Sequence, residues 1–154
     1  MILTKLVEKI VVVPKLKCDT AEEVIITLSD ELIKEDLVLP DYKNAILERE
    51  KTYPTALPSL PPCVAIPHAD FQLVKKTSIA IATLEQPIIF HNMEAVKEEV
   101  EVQIVIMLAV AEAHGQIEML QKVLAIVQDN ALRKKILACT TEAEIFTMIE
   151  PMFS

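Results

Sequence analysis

The sequence predicts an α/β fold, a three-layer α/β/α sandwich around a small mixed sheet, and three observations carry that expectation. Helix patterns open the chain, short strand patterns fill its middle, and helix patterns close it. Between Val100 and Val110 the pattern alternates first and then turns apolar on both faces, so this strand belongs at the centre of a sheet covered on both sides. The 154 residues match one domain, running from residue 1 to 154.

Taken in order, Lys9 to Val13 is a β-branched run that Pro14 closes, an expected first strand or edge segment. Thr20 with Glu23 forms a capping box, and Val24, Ile25, Leu28, Leu32 and Ile33 recur at helical spacing up to about Glu35. Asp41 is placed to cap a second helix carrying Tyr42, Ala45, Ile46 and Arg49, which Tyr53-Pro54 stops. Five prolines then interrupt PTALPSLPPCVAIP, giving a stiff extended loop and a short strand from Cys63 to Ile66 that Pro67 ends. Ser78 to Leu84 reads as a strand and Pro87 to His91 as a brief extended piece. Gly115 to Gln128 is expected to be helical, with Ile117, Leu120, Val123, Leu124 and Val127 on one face. Asn130 to Ala138 and Thr141 to Ile149 follow as two helices, the second with a capping box from Thr141 to Glu144.

Composition removes several function classes. There is one glycine, Gly115, where average usage of about 7% would give roughly eleven. Phosphate-cradling loops of the Walker or dinucleotide type need two or three glycines at fixed spacing, so they are excluded. Cys18, Cys63 and Cys139 are odd in number and contain no CxxC, which signals neither a disulfide framework nor a zinc site and fits a reducing cytoplasm. The opening residues MILTKLVEKIVVV interleave Lys5, Glu8 and Lys9 with apolar positions and show no cleavage site, so no secretory signal is expected. Mean hydropathy is high at +0.37. Even so, the longest strongly apolar run, Val102 to Ala111, is far shorter than the roughly 20 residues that span a bilayer. With 23 acidic against 15 basic residues and a net charge of -8, the chain is not expected to bind nucleic acid.

The three histidines, His68, His91 and His114, lie 23 residues apart, and the segments between them share no pattern. No short metal-ligand spacing occurs, so no metal is expected. His68 has the most suggestive setting, directly after a β-branched strand and a proline, at a strand end where open α/β sheets form sites. A polar cap or surface group is the competing reading of such a histidine. Arg49 lies between Glu48 and Glu50, and such a run equally suits a solvated helix face. Asp70 and Glu50 are candidates to orient an imidazole, or are simply solvated. Cys63 reads as a buried inert thiol, the methionines as core fillers, and His91 as a surface residue at a turn.

Taken together, LEREKTYPTAL, a proline-rich spacer, VAIPHAD, SIAIATLE, QPIIF and VQIVIMLAVAEAHGQIEMLQKVL resemble the enzyme IIA domains of the fructose and mannitol class of the sugar phosphotransferase system. The likeness runs from about Glu22 to the C-terminus and is greatest to the galactitol-type members. It implies a cytoplasmic phosphoryl carrier with a phosphohistidine intermediate and no cofactor. The phosphocarrier HPr donates, a cysteine of the IIB component accepts, and IIC is served indirectly, without insertion of the carrier into the membrane. The IPH motif puts the phosphorylated histidine at His68, and the Arg-Glu pair puts the charge-stabilising cation at Arg49, with Glu50 and Thr55 as supporting residues. Aligning QIEMLQKV on the family's second histidine motif puts Gln116 at that position, where its amide can donate to phosphoryl oxygens; His114, two residues earlier, is the other candidate. PTALPSLPPC is longer than the family's usual spacer, and Ala56 stands where a glycine is common. Two other readings accompany this one: a regulatory IIA that signals to protein targets, and a non-catalytic interaction domain on the same fold.

Overall fold

The computed structural model describes residues 7–153; the N-terminal reading over residues 1–6 lies outside them. Five strands form one mixed sheet in the order β1-β4-β5-β3-β2. They are β1 (Lys9–Leu16), β2 (Ala56–Leu57), β3 (Cys63–Ala65), β4 (Ser78–His91) and β5 (Glu99–Ala109). Helices α1 (Ala21–Lys34) and α2 (Tyr42–Thr52) cover one face; α3 (Gly115–Val127), α4 (Asn130–Ala138) and α5 (Glu142–Ile149) cover the other.

The layering follows from the period of two along the central strands. Ala80 and Ala82 of β4, with Val105 and Met107 of β5, pack under Leu28, Leu32, Tyr42 and Ile46 of α1 and α2. Their neighbours Ile79, Ile81, Ile104 and Ile106 point the other way, onto Met119, Val123, Ile126, Ile136 and Ile145. The strand expected at the centre is there: β5 pairs antiparallel with β4 on one side and parallel with β3 on the other. Both N-caps form, Thr20 accepting from the Glu23 N–H and Thr141 from that of Glu144, while the two glutamates reach back one residue further, to the N–H groups of Asp19 and Thr140.

Three expectations need correction. Pro14 does not close β1, which continues to Leu16; β1 is an edge strand, so a missing N–H is tolerated, and the register against β4 shifts between Val13 and Leu16. Asp41 precedes α2 but its side chain makes no capping bond. The two pieces from Ser78 to Leu84 and Pro87 to His91 are one strand, whose register against β5 shifts between Thr83 and Ile88 to absorb the intervening polar residues. On α3 the buried residues are Met119, Val123 and Ile126, while Ile117 is 67% exposed and Leu124 40%.

The proline-rich segment is held from the opposite face. Arg133 of α4, only 1% exposed, donates from Nε to the Pro62 carbonyl (2.9 Å) and from Nη2 to that of Leu60 (2.9 Å). Its Nη1 donates to the carbonyls of Ile126 (3.2 Å) and Val127 at the end of α3. A buried cation is costly unless its donors are satisfied; here backbone carbonyls and the negative end of a helix supply the acceptors. The sequence offered no sign of this role, because Arg133 stands in a basic run, Arg-Lys-Lys, that reads as a solvated face.

Candidate functional site

Helix α2 ends where the Tyr53 N–H donates to the Arg49 carbonyl (2.6 Å) and Pro54 prevents another turn. This ending sends Arg49 and Glu50 in different directions. The Arg49 guanidinium lies over the Tyr53 ring, 5.5 Å from its centroid, a cation–π contact that holds a long side chain at the surface. Glu50 turns inward and accepts twice from Thr55, from its N–H at 2.8 Å and from its hydroxyl at 2.8 Å.

Thr55 is buried, and its carbonyl accepts the Ile66 N–H (3.2 Å). The Ile66 carbonyl in turn faces Nδ1 of His68 at 2.8 Å. A carbonyl can only accept, so Nδ1 carries the proton and the neutral ring presents its lone pair at Nε2. On the far side the Leu108 N–H donates to the Pro67 carbonyl (3.0 Å), tying His68 to the end of β5. Burial lowers the His68 pKa and repulsion from Arg49 lowers it further, while the Ile66 carbonyl opposes both. The imidazole is therefore neutral near pH 7. Burial also pushes the Glu50 carboxyl up to about 7, against the Thr55 hydrogen bonds and Arg49, which favour its charged form.

Arg49, Thr55 and His68 border one cleft of about 380 Å³. Its remaining wall is apolar, made by Leu57, Met93, Val96, Leu120 and Leu124 beside Tyr53. A neutral nucleophilic nitrogen, a cation and an apolar wall suit transfer of a charged group, because electrostatic interactions strengthen where a docked partner displaces water. Among the described residues no group of three or more His, Cys, Asp or Glu is placed to hold a metal ion.

The other sequence candidates fall elsewhere. Glu50 backs Thr55 and borders a separate cavity of about 580 Å³ between the start of α1 and the second half of β4. Gln116 is half-buried in the first turn of α3; helix spacing sets it on the face of Leu120 and Leu124, which line the cleft. His114 precedes α3 with its side chain 87% exposed, its Nε2 3.2 Å from Glu112, and borders a third cavity of about 540 Å³. Asp70 caps the short 3-10 turn Phe71–Leu73, so neither it nor Glu50 touches the imidazole. Cys63 is buried and His91, ending β4, is exposed, as expected.

Sequence reasoning missed Tyr53 and the cleft wall. Tyr53 read only as a helix stop, although an aromatic ring four residues after an arginine at a helix end is a legible pairing signal. Met93, grouped with the core fillers, is 37% exposed in the cleft wall, and no pattern marked Val96.

The chain is 29% identical over 122 residues, 79% of its length and 77% of the relative's, to an ascorbate-specific PTS system EIIA component of Shigella boydii. Relatives of this kind are ascorbate-specific, and the galactitol subclass draws no support from them. In fold it matches the mannitol enzyme IIA of Escherichia coli in complex with phosphorylated IIB, with a TM-score of 0.74 at 23% identity over 91% of this chain and 94% of that one. It also matches the nitrogen regulatory protein IIA-Ntr of Neisseria meningitidis, with a TM-score of 0.67 at 18% identity over 94% of each chain. No helix among the described residues is long and apolar enough to cross a membrane. The family model of the phosphoenolpyruvate-dependent sugar phosphotransferase system, EIIA 2, matches residues 5–151, and the chain belongs to that family.

Proposed function

We propose that this chain is a single-domain phosphoryl carrier that takes a phosphoryl group from HPr on Nε2 of His68 and passes it to a cysteine of a IIB component. The observation that carries the reading is the His68 ring, neutral and locked with its lone pair at Nε2, in a cleft shared with Arg49. As the bond from phosphorus to Nε2 forms, the bond to the donor breaks and the donor keeps its electron pair. The ring becomes positively charged with its proton still on Nδ1, and the Ile66 carbonyl stabilises that charge. Arg49 meets the charge spread over the equatorial oxygens, and Gln116 donates a further hydrogen bond. Transfer to the IIB thiolate reverses these steps, the sulfur supplying the new electron pair.

IIC is served through IIB, and the carrier itself acts from the cytoplasm without meeting the sugar. The ascorbate-specific relatives, rather than galactitol, set the direction of a substrate screen. The test is intact mass after incubation with phosphoenolpyruvate, enzyme I and HPr. An acid-labile gain of one phosphoryl group in wild type and none in His68→Ala is expected. No gain while HPr is phosphorylated overturns the reading and favours a binding domain. The regulatory reading has the shared fold of IIA-Ntr behind it, and phosphorylation without onward transfer to the cognate IIB would select it.

A further inference from the structure

Helix α2 grips the segment before His68 at two successive peptide groups. At the start of α2, Tyr42 is wholly buried and donates its hydroxyl to the Leu108 carbonyl at 2.5 Å. The Leu108 N–H in turn donates to the Pro67 carbonyl. At the end of α2, Glu50 holds Thr55, Thr55 holds the Ile66 N–H, and the Ile66 carbonyl faces Nδ1 of His68.

The two grips differ in redundancy. Leu108 lies within β5 and is registered against Ile79 of β4, so the sheet fixes it whether or not Tyr42 is present. Thr55 precedes a strand of two residues, in which Ala56 pairs with Ala65 and accepts the Met93 N–H, and what fixes the N–H and hydroxyl of Thr55 itself is the Glu50 carboxylate. If Thr55 shifts, Ile66 loses the acceptor of its N–H and its carbonyl is free to turn from Nδ1. Either ring nitrogen can then carry the proton, and molecules with the proton on Nε2 have no lone pair to attack with.

We propose that Glu50 is a positioning residue for His68: through Thr55 and Ile66 it keeps the imidazole proton on Nδ1 and the lone pair on Nε2. The consequence for rate rests on the phosphoryl-carrier reading; the tautomer does not. Arg49 is the charged group that acts on the Glu50 carboxyl, and the titratable groups that border the same cavity are Lys51 on its own helix, Asp19 and Glu22 around the start of α1, and His91 at the end of β4. With its pKa near 7, the carboxyl is present both charged and neutral in the working range. Both forms serve, because the neutral acid still accepts from the Thr55 N–H with one oxygen and donates from the other to the hydroxyl. Glutamine reproduces that neutral arrangement, with its amide as the donor.

The experiment reads the His68 tautomer from long-range nitrogen–proton spectra of the unphosphorylated full chain at pH 7.5. Wild type and Glu50→Gln are expected to show one tautomer, protonated at Nδ1. Glu50→Ala is expected to show a mixture, and Thr55→Val, which keeps the backbone N–H bond and a buried side chain of similar size, a smaller admixture. Should Glu50→Ala fail to fold, Thr55→Val decides. A wild-type tautomer in every folded variant overturns the proposal. So does a mixture in Glu50→Gln equal to that in Glu50→Ala, because charge rather than hydrogen-bond geometry would then be responsible. Phosphoryl uptake from HPr is followed in parallel, and uptake by Glu50→Ala is expected to fall with the fraction of the unproductive tautomer. A wild type that takes up no phosphoryl group overturns the carrier reading alone, since the spectrum is read without it.

Discussion

His68 and His114 each follow a strand of the same sheet by a few residues, and each borders a cavity. The cavity at His114 is the larger, about 540 Å³ against about 380 Å³, and it gathers more charged groups, among them Lys75, Lys76, Glu8 and Glu118. Yet the ring of His114 is exposed and pairs with the exposed Glu112 side chain, and among the described residues no backbone group is bonded to it. The ring of His68 is half-buried and bonded to the carbonyl of Ile66, a residue whose N–H is held by Thr55 and, through it, by Glu50. Volume and a collection of titratable groups do not make a site; what distinguishes His68 is that one nitrogen is assigned a proton and the other a lone pair.

The largest expected effect that tests this contrast is at the nucleophile. His68→Ala abolishes phosphoryl uptake while far-ultraviolet circular dichroism stays that of wild type. Next, Arg49→Met slows uptake by roughly 10² to 10³-fold, the loss expected when a preorganised charge-stabilising donor is removed, and rapid-quench kinetics measure it. Because Tyr53 holds the guanidinium, Tyr53→Ala falls in the same direction with a smaller loss.

Glu50 gives a pH signature opposite in sign to that of His68. The folded chain holds the Glu50 proton up to about pH 7, whereas the unfolded chain releases it near the ordinary value of 4.5. Between those values the folded state binds more protons, so stability falls as pH rises through the window and this contribution is fully lost above pH 7. The difference between wild type and Glu50→Gln is expected to change by on the order of 3 kcal/mol from pH 4 to pH 8, read from denaturant titrations at each pH. The lowered pKa of His68 works the other way: its folded form resists protonation, and stability is lost as pH falls below 6.5.

Smaller still, Gln116→Ala slows uptake about tenfold, one hydrogen bond's worth of transition-state stabilisation. The smallest effect sharpens the comparison most: His114→Ala leaves uptake unchanged and alters stability by less than about 0.5 kcal/mol, as for an exposed side chain away from buried partners. A strong loss of uptake in that variant would break the contrast between the two histidines.

Much of this was legible before any coordinates. Capping boxes at Thr20 and Thr141 declared two helices because local hydrogen bonds decide helix starts, and the two-faced apolar run of β5 declared a covered sheet. His68 and Arg49 were legible through local motif and order. What stayed hidden depends on partners distant in sequence or on the outer edge of the sheet. The edge reading of Lys9 to Val13 was legible, but not that β1 runs on past Pro14, which it does because nothing pairs with that edge among the described residues. The direction of α3 could not be read from its period, since Leu120 and Leu124 are as apolar as Met119 and Val123 but line a cleft, Leu120 at the margin of the core. Glu50 could be proposed as a support for His68, but not the route by which it acts, which runs through two backbone carbonyls.

The clamp made by Arg133 has a consequence for how the protein breathes. One guanidinium holds Leu60 and Pro62 in the proline-rich loop and Ile126 and Val127 at the end of α3, so neither segment can open without stripping a buried charge of its acceptors. Two stretches more than sixty residues apart are thereby tied through one side chain, and opening either of them leaves the buried charge with only the acceptors of the other.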